Sequence, residues 1–162
     1  MPVFISHRTA DDAIAQQVAS RLKSHHGITC YVDDIDDELR RARGTARVTT
    51  LIVDRLNACT NLLAIVTQNT EGSWWVPFEV GVARQSPRVI TSFTNLYDSS
   101  LPEYLLEWPR LRGTNAVDKF AELYRAQQRT LNENVLQKRA MASEQLRTVD
   151  QFHSRLKAAL GQ

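Results

Sequence analysis

The sequence predicts an α/β fold: an open, parallel, five-stranded sheet with helices on both faces, followed by a C-terminal helical extension. Three observations carry this. Short runs of apolar, β-branched and aromatic residues alternate with stretches whose apolar residues recur at helical spacing. The connections between them are short, as in sheets whose parallel strands are joined through helices. One run, Leu62–Val66, is continuously apolar, the pattern of a strand covered on both faces.

The elements follow in order. Val3–Ser6 is too short for a helix and rich in strand formers, so it reads as the first strand. Thr9 can cap a helix with Asp11 and Asp12 in its first turn, Ile14, Val18 and Leu22 repeat along it, and Gly27 supplies the stop. Ile28–Val32 is a second strand. Asp33 to Gly44 is polar, with four aspartates and three arginines, and reads as a long loop with a short turn around Glu38–Arg41. Val48, Leu51, Ile52, Arg55 and Leu56 form a second helical stripe, and Leu62–Val66 is the third strand. A helix over Trp74–Arg84 precedes a fourth strand, Arg88–Phe93. Leu101–Leu106 is a short helix, and Trp108–Leu111 is an edge strand, where its proline is tolerated. Ala116–Leu131 and Leu136–Leu160 are helical. Beyond about residue 130 glycine and proline vanish until Gly161, so residues 1–130 read as the domain and 131–162 as a helical extension packed on it or used in assembly.

Composition bounds the function classes. At 162 residues the chain is one domain with room for a real core, and 43% hydrophobic with 23% charged residues is ordinary for a soluble protein. A net charge of +2 carries no nucleic-acid signature. Cys30 and Cys59 sit in apolar segments, which suits reduced thiols in a cytoplasmic protein, and two cysteines make no metal site by themselves. Met1–Ile5 already reads as strand, with no basic or apolar leader and no membrane-spanning stretch, so no membrane partner is expected.

Ser73–Ala83 is the most informative stretch. Glu79 is the only charged residue in a run otherwise apolar, small or hydroxylated. Pro77 is tolerated only in a first helical turn, so the helix begins near Ser73, a good N-cap. Trp75 and Glu79 are then i and i+4 on one face. An indole beside a carboxylate can stack on a flat heterocycle while the carboxylate meets a developing positive charge. The plain alternative has both tryptophans in the core and Glu79 at the edge of a buried helix. Trp74, turned away from the Glu79 face, is expected in the core.

In such sheets ligands bind beyond the carboxyl ends of the strands, near the point where strand order reverses. Those ends are Ser6–Arg8, Asp33–Asp37, Thr67–Trp75 and Thr91–Asn95, and Glu79 lies one turn past the third. No glycine-rich dinucleotide or P-loop motif occurs, which excludes a Rossmann dehydrogenase and a P-loop NTPase. A phosphoacceptor receiver needs acids at the end of the first strand and an aspartate after the third; Ser6-His7 and Thr67-Gln68 stand there instead. His25 and His26 end a helix, where histidine suits the dipole.

Val-Phe-Ile-Ser-His at 3–7, Tyr-Val-Asp-Asp at 31–34, Asn-Leu-Leu-Ala-Ile-Val-Thr at 61–67 and Ser-Trp-Trp-Val-Pro-Phe-Glu at 73–79, in this order, resemble the bacterial Toll/interleukin-1 receptor (TIR) domain family. The match covers roughly residues 1–130, and the pattern is similar to stand-alone TIR proteins, including those of anti-phage systems of the Thoeris type. The resemblance implies a flavodoxin-like sheet and cleavage of the nicotinamide–ribose bond of NAD⁺, as substrate and with no cofactor or metal. It implies Glu79 as the catalytic carboxylate and Trp75 as the tryptophan one turn before it. It also implies Ser6, His7 and Arg8 in the nucleotide-lining loop after the first strand, and Asp33 at the start of a loop, Asp33–Gly44, that contacts a neighbouring subunit in TIR–TIR assemblies. For His7 simple capping stands beside pocket lining, and Arg8 also reads as a solvated loop arginine. A non-catalytic TIR–TIR interaction module and a nucleoside deoxyribosyltransferase-like enzyme are the competing functions.

Overall fold

The computed structural model describes residues 2–33, 45–136 and 142–162. Five parallel strands form one sheet: β1 (Val3–Ser6), β2 (Cys30–Asp33), β3 (Asn61–Val66), β4 (Val89–Thr94) and β5 (Arg110–Leu111), in the order β2-β1-β3-β4-β5. The flavodoxin-like expectation holds. The order reverses between β1 and β3, so the crevice at their carboxyl ends is the switch point.

Strand alternation sorts the core into two layers. Val3, Ile5, Leu63, Ile65 and Val89 face α1 (Asp12–His26), α4 (Gly113–Leu136) and α5 (Ala142–Leu160). Phe4, Leu62, Ala64, Val66 and Ile90 face α2 (Thr45–Asn57) and α3 (Trp75–Arg84). The α1 stripe buries Ala15, Val18 and Leu22, and the helix stops where Gly27 takes φ of 65°. There the Gly27 and Ile28 amides close on the Lys23 and Leu22 carbonyls.

Boundaries differ from the sequence reading in instructive ways. Thr9–Asp11 is a 3₁₀ turn with α1 starting at Asp12, so Thr9 is not the cap of that helix. The segment expected as a short helix at Leu101–Leu106 is a 3₁₀ turn over Glu103–Glu107. Edge strand β5 has only two residues, because Pro109 cannot donate to a ladder. The short turn expected around Glu38–Arg41 lies outside the described residues.

The brevity of β5 leaves edge groups of β4 and β5 unpaired, and α5 with the residues after it supplies their partners. The Ile90 N–H donates to His153 Nε2 at 3.0 Å. The Gln162 carboxamide spans Arg110, accepting from its N–H at 3.0 Å and donating to its carbonyl at 2.6 Å. Phe152 and Leu156 complete the layer with Phe120 and Tyr124. Across the same layer Arg21 and His26 of α1 bond to Asp118 of α4, and the Arg21 hydrogen bonds hold that carboxyl well below the usual carboxylate range.

His153 accepts a hydrogen bond while neutral, and burial pulls its pKa down to about 4 despite Asp150 nearby. A depressed histidine contributes stability that is complete above its unfolded pKa of about 6.5 and is lost as pH falls towards the folded value. The variant His153→Gln keeps an acceptor for Ile90 but does not titrate. Urea unfolding at about pH 7 and about pH 4 is expected to cost the wild type more stability than His153→Gln; equal losses would contradict the tie.

Candidate functional site

The site begins with the row of residues that the parallel register sets side by side near the carboxyl ends. Ser6 pairs with Asp33 on one side and Ala64 on the other, Ala64 with Ser92, and Ser92 with Arg110. By alternation Ser6, Ala64 and Ser92 share the α2–α3 face with Phe4, Leu62 and Ile90. One level below, that face is packed with large apolar side chains; at this level it is lined by small and hydroxylated ones. The Ser6 and Ser92 hydroxyls are buried without a hydrogen-bond partner among the described residues.

Helix α3 lies over this face. It buries Val76, Val80 and Ala83 against the sheet, and with them Glu79, which has no exposed surface. Pro77 stands in the first turn, as its missing N–H requires. The cap position falls on Trp74 rather than Ser73, although the Ser73 hydroxyl still accepts a long 3.4 Å bond from the Val76 N–H. Trp75 is half-buried on the Glu79 face and meets Phe78 edge to face at 5.8 Å between ring centroids. Trp74 corrects the expectation of a core residue: it is 88% exposed. Preceding the first full turn, it points off the helix end into solvent, where nothing packs it down.

The loop after β1 starts at the carboxyl end of the sheet, beside β3. His7 is buried, its Nε2 3.5 Å from Asp12 Oδ1, and neither ring nitrogen makes a hydrogen bond among the described residues. Arg8 is half-buried and its guanidinium donates to the Asn69 carbonyl, in the loop after β3. Asp33 ends β2; its side chain and the Asp33–Gly44 loop beyond it lie outside the described residues.

The two loops are joined through a residue that sequence reasoning gave only a helix-dipole role. Asp11 is 1% exposed and accepts from the Thr67 hydroxyl on both oxygens, at 3.0 and 2.9 Å, and from Asn69 Nδ2 at 2.7 Å. Thr67 in turn caps the 3₁₀ turn at Gln68–Thr70, bonding the Asn69 N–H through its hydroxyl and the Thr70 hydroxyl through its amide. A carboxylate turned inward explains why the first turn of α1 is less acidic towards the crevice than the sequence implies. Ser92 was also missed; its signal was a serine inside an otherwise apolar or β-branched strand.

A cavity of about 540 Å³ opens beyond β3 and β4, between the start of α3 and the 103–107 turn, lined by Val66, Thr70, Val76, Pro77, Leu101 and Tyr104 among others. Ser6, His7, Arg8, Trp75 and Glu79 do not line it. Helix α3 thus separates this cavity, on its Pro77 flank, from the Trp75–Glu79 flank. The thiols stand apart from the site, Cys30 at the start of β2 and Cys59 just before β3, and burial pushes Cys30 up to about 12 and Cys59 up to about 11. Among the described residues no group of three His, Cys, Asp or Glu side chains is arranged to hold a metal, and no helix is long and apolar enough to cross a membrane.

The variant Asp11→Ala leaves the Thr67 hydroxyl and the Asn69 amide without their acceptor in a buried setting. It is expected to destabilise the protein by about 2–3 kcal/mol in urea unfolding, the range for losing hydrogen bonds to a buried charged group. A loss below about 0.5 kcal/mol would show that the loops are held by other contacts.

Comparison with known proteins adds the family. The chain is 28% identical over 122 residues to a protein of Bacillus cereus (strain MSX-D12) named "Probable 3' cyclic ADP-D-ribose synthase ThsB'". That alignment covers 69% of this chain and 61% of the relative, so the chain spans about three fifths of the relative's length. The sequence model of the TIR domain matches residues 3–133, from β1 into α4. The chain belongs to the TIR domain family.

Proposed function

We propose that this protein is a TIR enzyme that cleaves the nicotinamide–ribose bond of NAD⁺, and that its nucleotide product serves as an immune signal in bacterial anti-phage defence of the Thoeris type. The observation that carries the reading is Glu79: a carboxylate wholly buried on α3, on the Trp75 face, in the helix that follows β3 at the switch point of the sheet. Similarity to a protein named as a cyclic ADP-ribose synthase supports the same substrate and reaction class.

The chemistry asks little of the protein. Nicotinamide in NAD⁺ is already a cationic pyridinium, so the C1′–N bond breaks with its electron pair going to the ring nitrogen, and neutral nicotinamide leaves without an added proton. Positive charge then develops on the ribose as an oxocarbenium ion. One carboxylate near C1′ stabilises that charge or bonds to it transiently. The usual glycosidase pair, with one carboxyl as acid, is not needed. Glu79 fills this role, and Trp75 stacks on the pyridinium and limits water, which favours capture of C1′ by a hydroxyl of the same molecule over hydrolysis. Ser6, His7 and Arg8 line the nucleotide, with the start of α1 offering backbone N–H groups to the pyrophosphate. Asp33 opens the loop that meets a neighbouring subunit. Glu79 has no solvent-exposed surface, so substrate reaches it only when a covering group moves.

Self-association belongs to this reading. Trp74, 88% exposed, and Phe78 project from the same helix that carries Glu79 and offer an apolar contact to a second copy. Activity is then expected to rise more than linearly with protein concentration. The thiols suit a reducing, cytoplasmic setting.

The test is incubation of concentrated protein with NAD⁺, chromatography with mass detection, and the same assay on Glu79→Gln. The wild type is expected to release nicotinamide together with an ADP-ribose species, and Glu79→Gln to lose about a thousandfold in rate with its circular dichroism unchanged. A fully active Glu79→Gln refutes the assignment. Silence from both proteins at every concentration favours the non-catalytic TIR–TIR module, and turnover of free nucleosides with NAD⁺ untouched favours the deoxyribosyltransferase-like enzyme.

A further inference from the structure

At the other end of the sheet, where β4 begins, a cavity of about 310 Å³ lies between the end of α3 and helix α5. Arg84, Arg88, Trp108, Asp150, His153 and Lys157 are among its lining. It is remote from the crevice at the carboxyl ends and shares no residue with the proposed reaction centre.

Arg88 is the unusual member. It is only 9% exposed, and its partners are neutral: Nε donates to the Cys59 carbonyl at 3.3 Å and Nη2 to Asn57 Oδ1 at 2.6 Å. Its Nη1 is buried with no acceptor among the described residues. A buried guanidinium without a carboxylate is costly, and its burial already works against its charge. Lys157, half-buried, also lacks a carboxylate partner among the described residues: its ammonium donates to the Leu106 carbonyl at 3.3 Å. Arg84 does not share this state, because it is paired with Glu107 at 3.0 Å on the exposed rim. His153 is neutral, engaged with the Ile90 N–H. The opposing charges are Glu107, already paired with Arg84, and Asp150, which is exposed. Two cations without a carboxylate partner among the described residues, Arg88 and Lys157, line a cavity walled by Trp108 and Ile90.

We propose that this cavity is an anion site that takes a phosphate group, with Arg88 as the principal donor and Lys157 as the second charge. A dianionic phosphate matches the two cations, and guanidinium donors suit its oxygens. The indole wall accommodates an organic substituent, which makes a phosphate monoester a candidate alongside free phosphate. Because α3, β4 and α5 all border the cavity, an occupant ties the C-terminal helix to the layer that carries Glu79.

The experiment is a ¹H–¹⁵N NMR titration with inorganic phosphate, adenosine 5′-monophosphate and adenosine, at ionic strength held constant with chloride. The Trp108 indole N–H and the amides of Ile90 and His153 are expected to shift saturably with the phosphate-bearing probes and not with adenosine. The tighter of the two phosphate probes identifies the source. Arg88→Met is expected to weaken binding about tenfold, as for loss of a charged hydrogen-bond donor. Asp150→Asn is expected to strengthen it about twofold, since an exposed opposing charge is worth little. Should Arg88→Met not fold, Lys157→Met and Asp150→Asn must still move the affinity in opposite directions. No saturable shift with either phosphate probe, adenosine binding as well as its monophosphate, or affinity unmoved by these substitutions overturns the proposal.

Discussion

The arrangement of the candidate site depends on one buried carboxylate that takes no part in the proposed chemistry. Asp11 receives the Thr67 hydroxyl and the Asn69 amide, and so fixes the loop after β1 against the loop after β3. The first loop carries Ser6, His7 and Arg8; the second leads into α3 with Trp75 and Glu79. These loops leave the paired ends of β1 and β3, the point where strand order reverses. Without a clasp each loop would hold its own conformation, and a site built from both would be loose. Arg8, reaching the Asn69 carbonyl, closes the same bridge from the outer side.

Packing supplies the frame and the polar row supplies the opening. Below the row, Phe4, Leu62 and Ile90 meet Ile52, Leu56, Val80 and Ala83 in a dry layer. At the row, Ser6, Ala64 and Ser92 take the places where large apolar residues would give a tighter fit. Two buried hydroxyls without partners among the described residues cost about 1–3 kcal/mol each by the usual measure of an unmade hydrogen bond. Such a cost beneath the helix that carries Glu79 is the pattern of a fold that gives up stability at a functional site. The opposite edge shows the reverse: there His153 and Gln162 satisfy strand groups that the two-residue β5 leaves open.

Much of this was legible in the chain. Alternating short apolar runs and helical stripes gave the order of elements, because both faces of a parallel sheet must be covered and the periodicities of strand and helix differ. Trp75 and Glu79 were legible as neighbours from spacing alone. Trp74 was not: adjacent tryptophans look equally buried to a pattern, and only the start of α3 decides that one of them faces water. Asp11 was misread because an acid in a first turn suits the dipole whether it faces solvent or the interior; its acceptors' partners, Thr67 and Asn69, lie more than fifty positions away. The helices of the extension were recognisable, but their contact with the sheet through His153 and Gln162 depends on long-range geometry that no local pattern carries.

The most direct measurement is a crystal structure of Glu79→Gln with NAD⁺ bound, the substitution preventing turnover. The account predicts the nicotinamide ring against Trp75, the ribose C1′ facing residue 79, and the pyrophosphate beside Arg8 and the start of α1. Nicotinamide seated instead in the cavity beyond β3 and β4, among Val76, Pro77 and Tyr104, would contradict it.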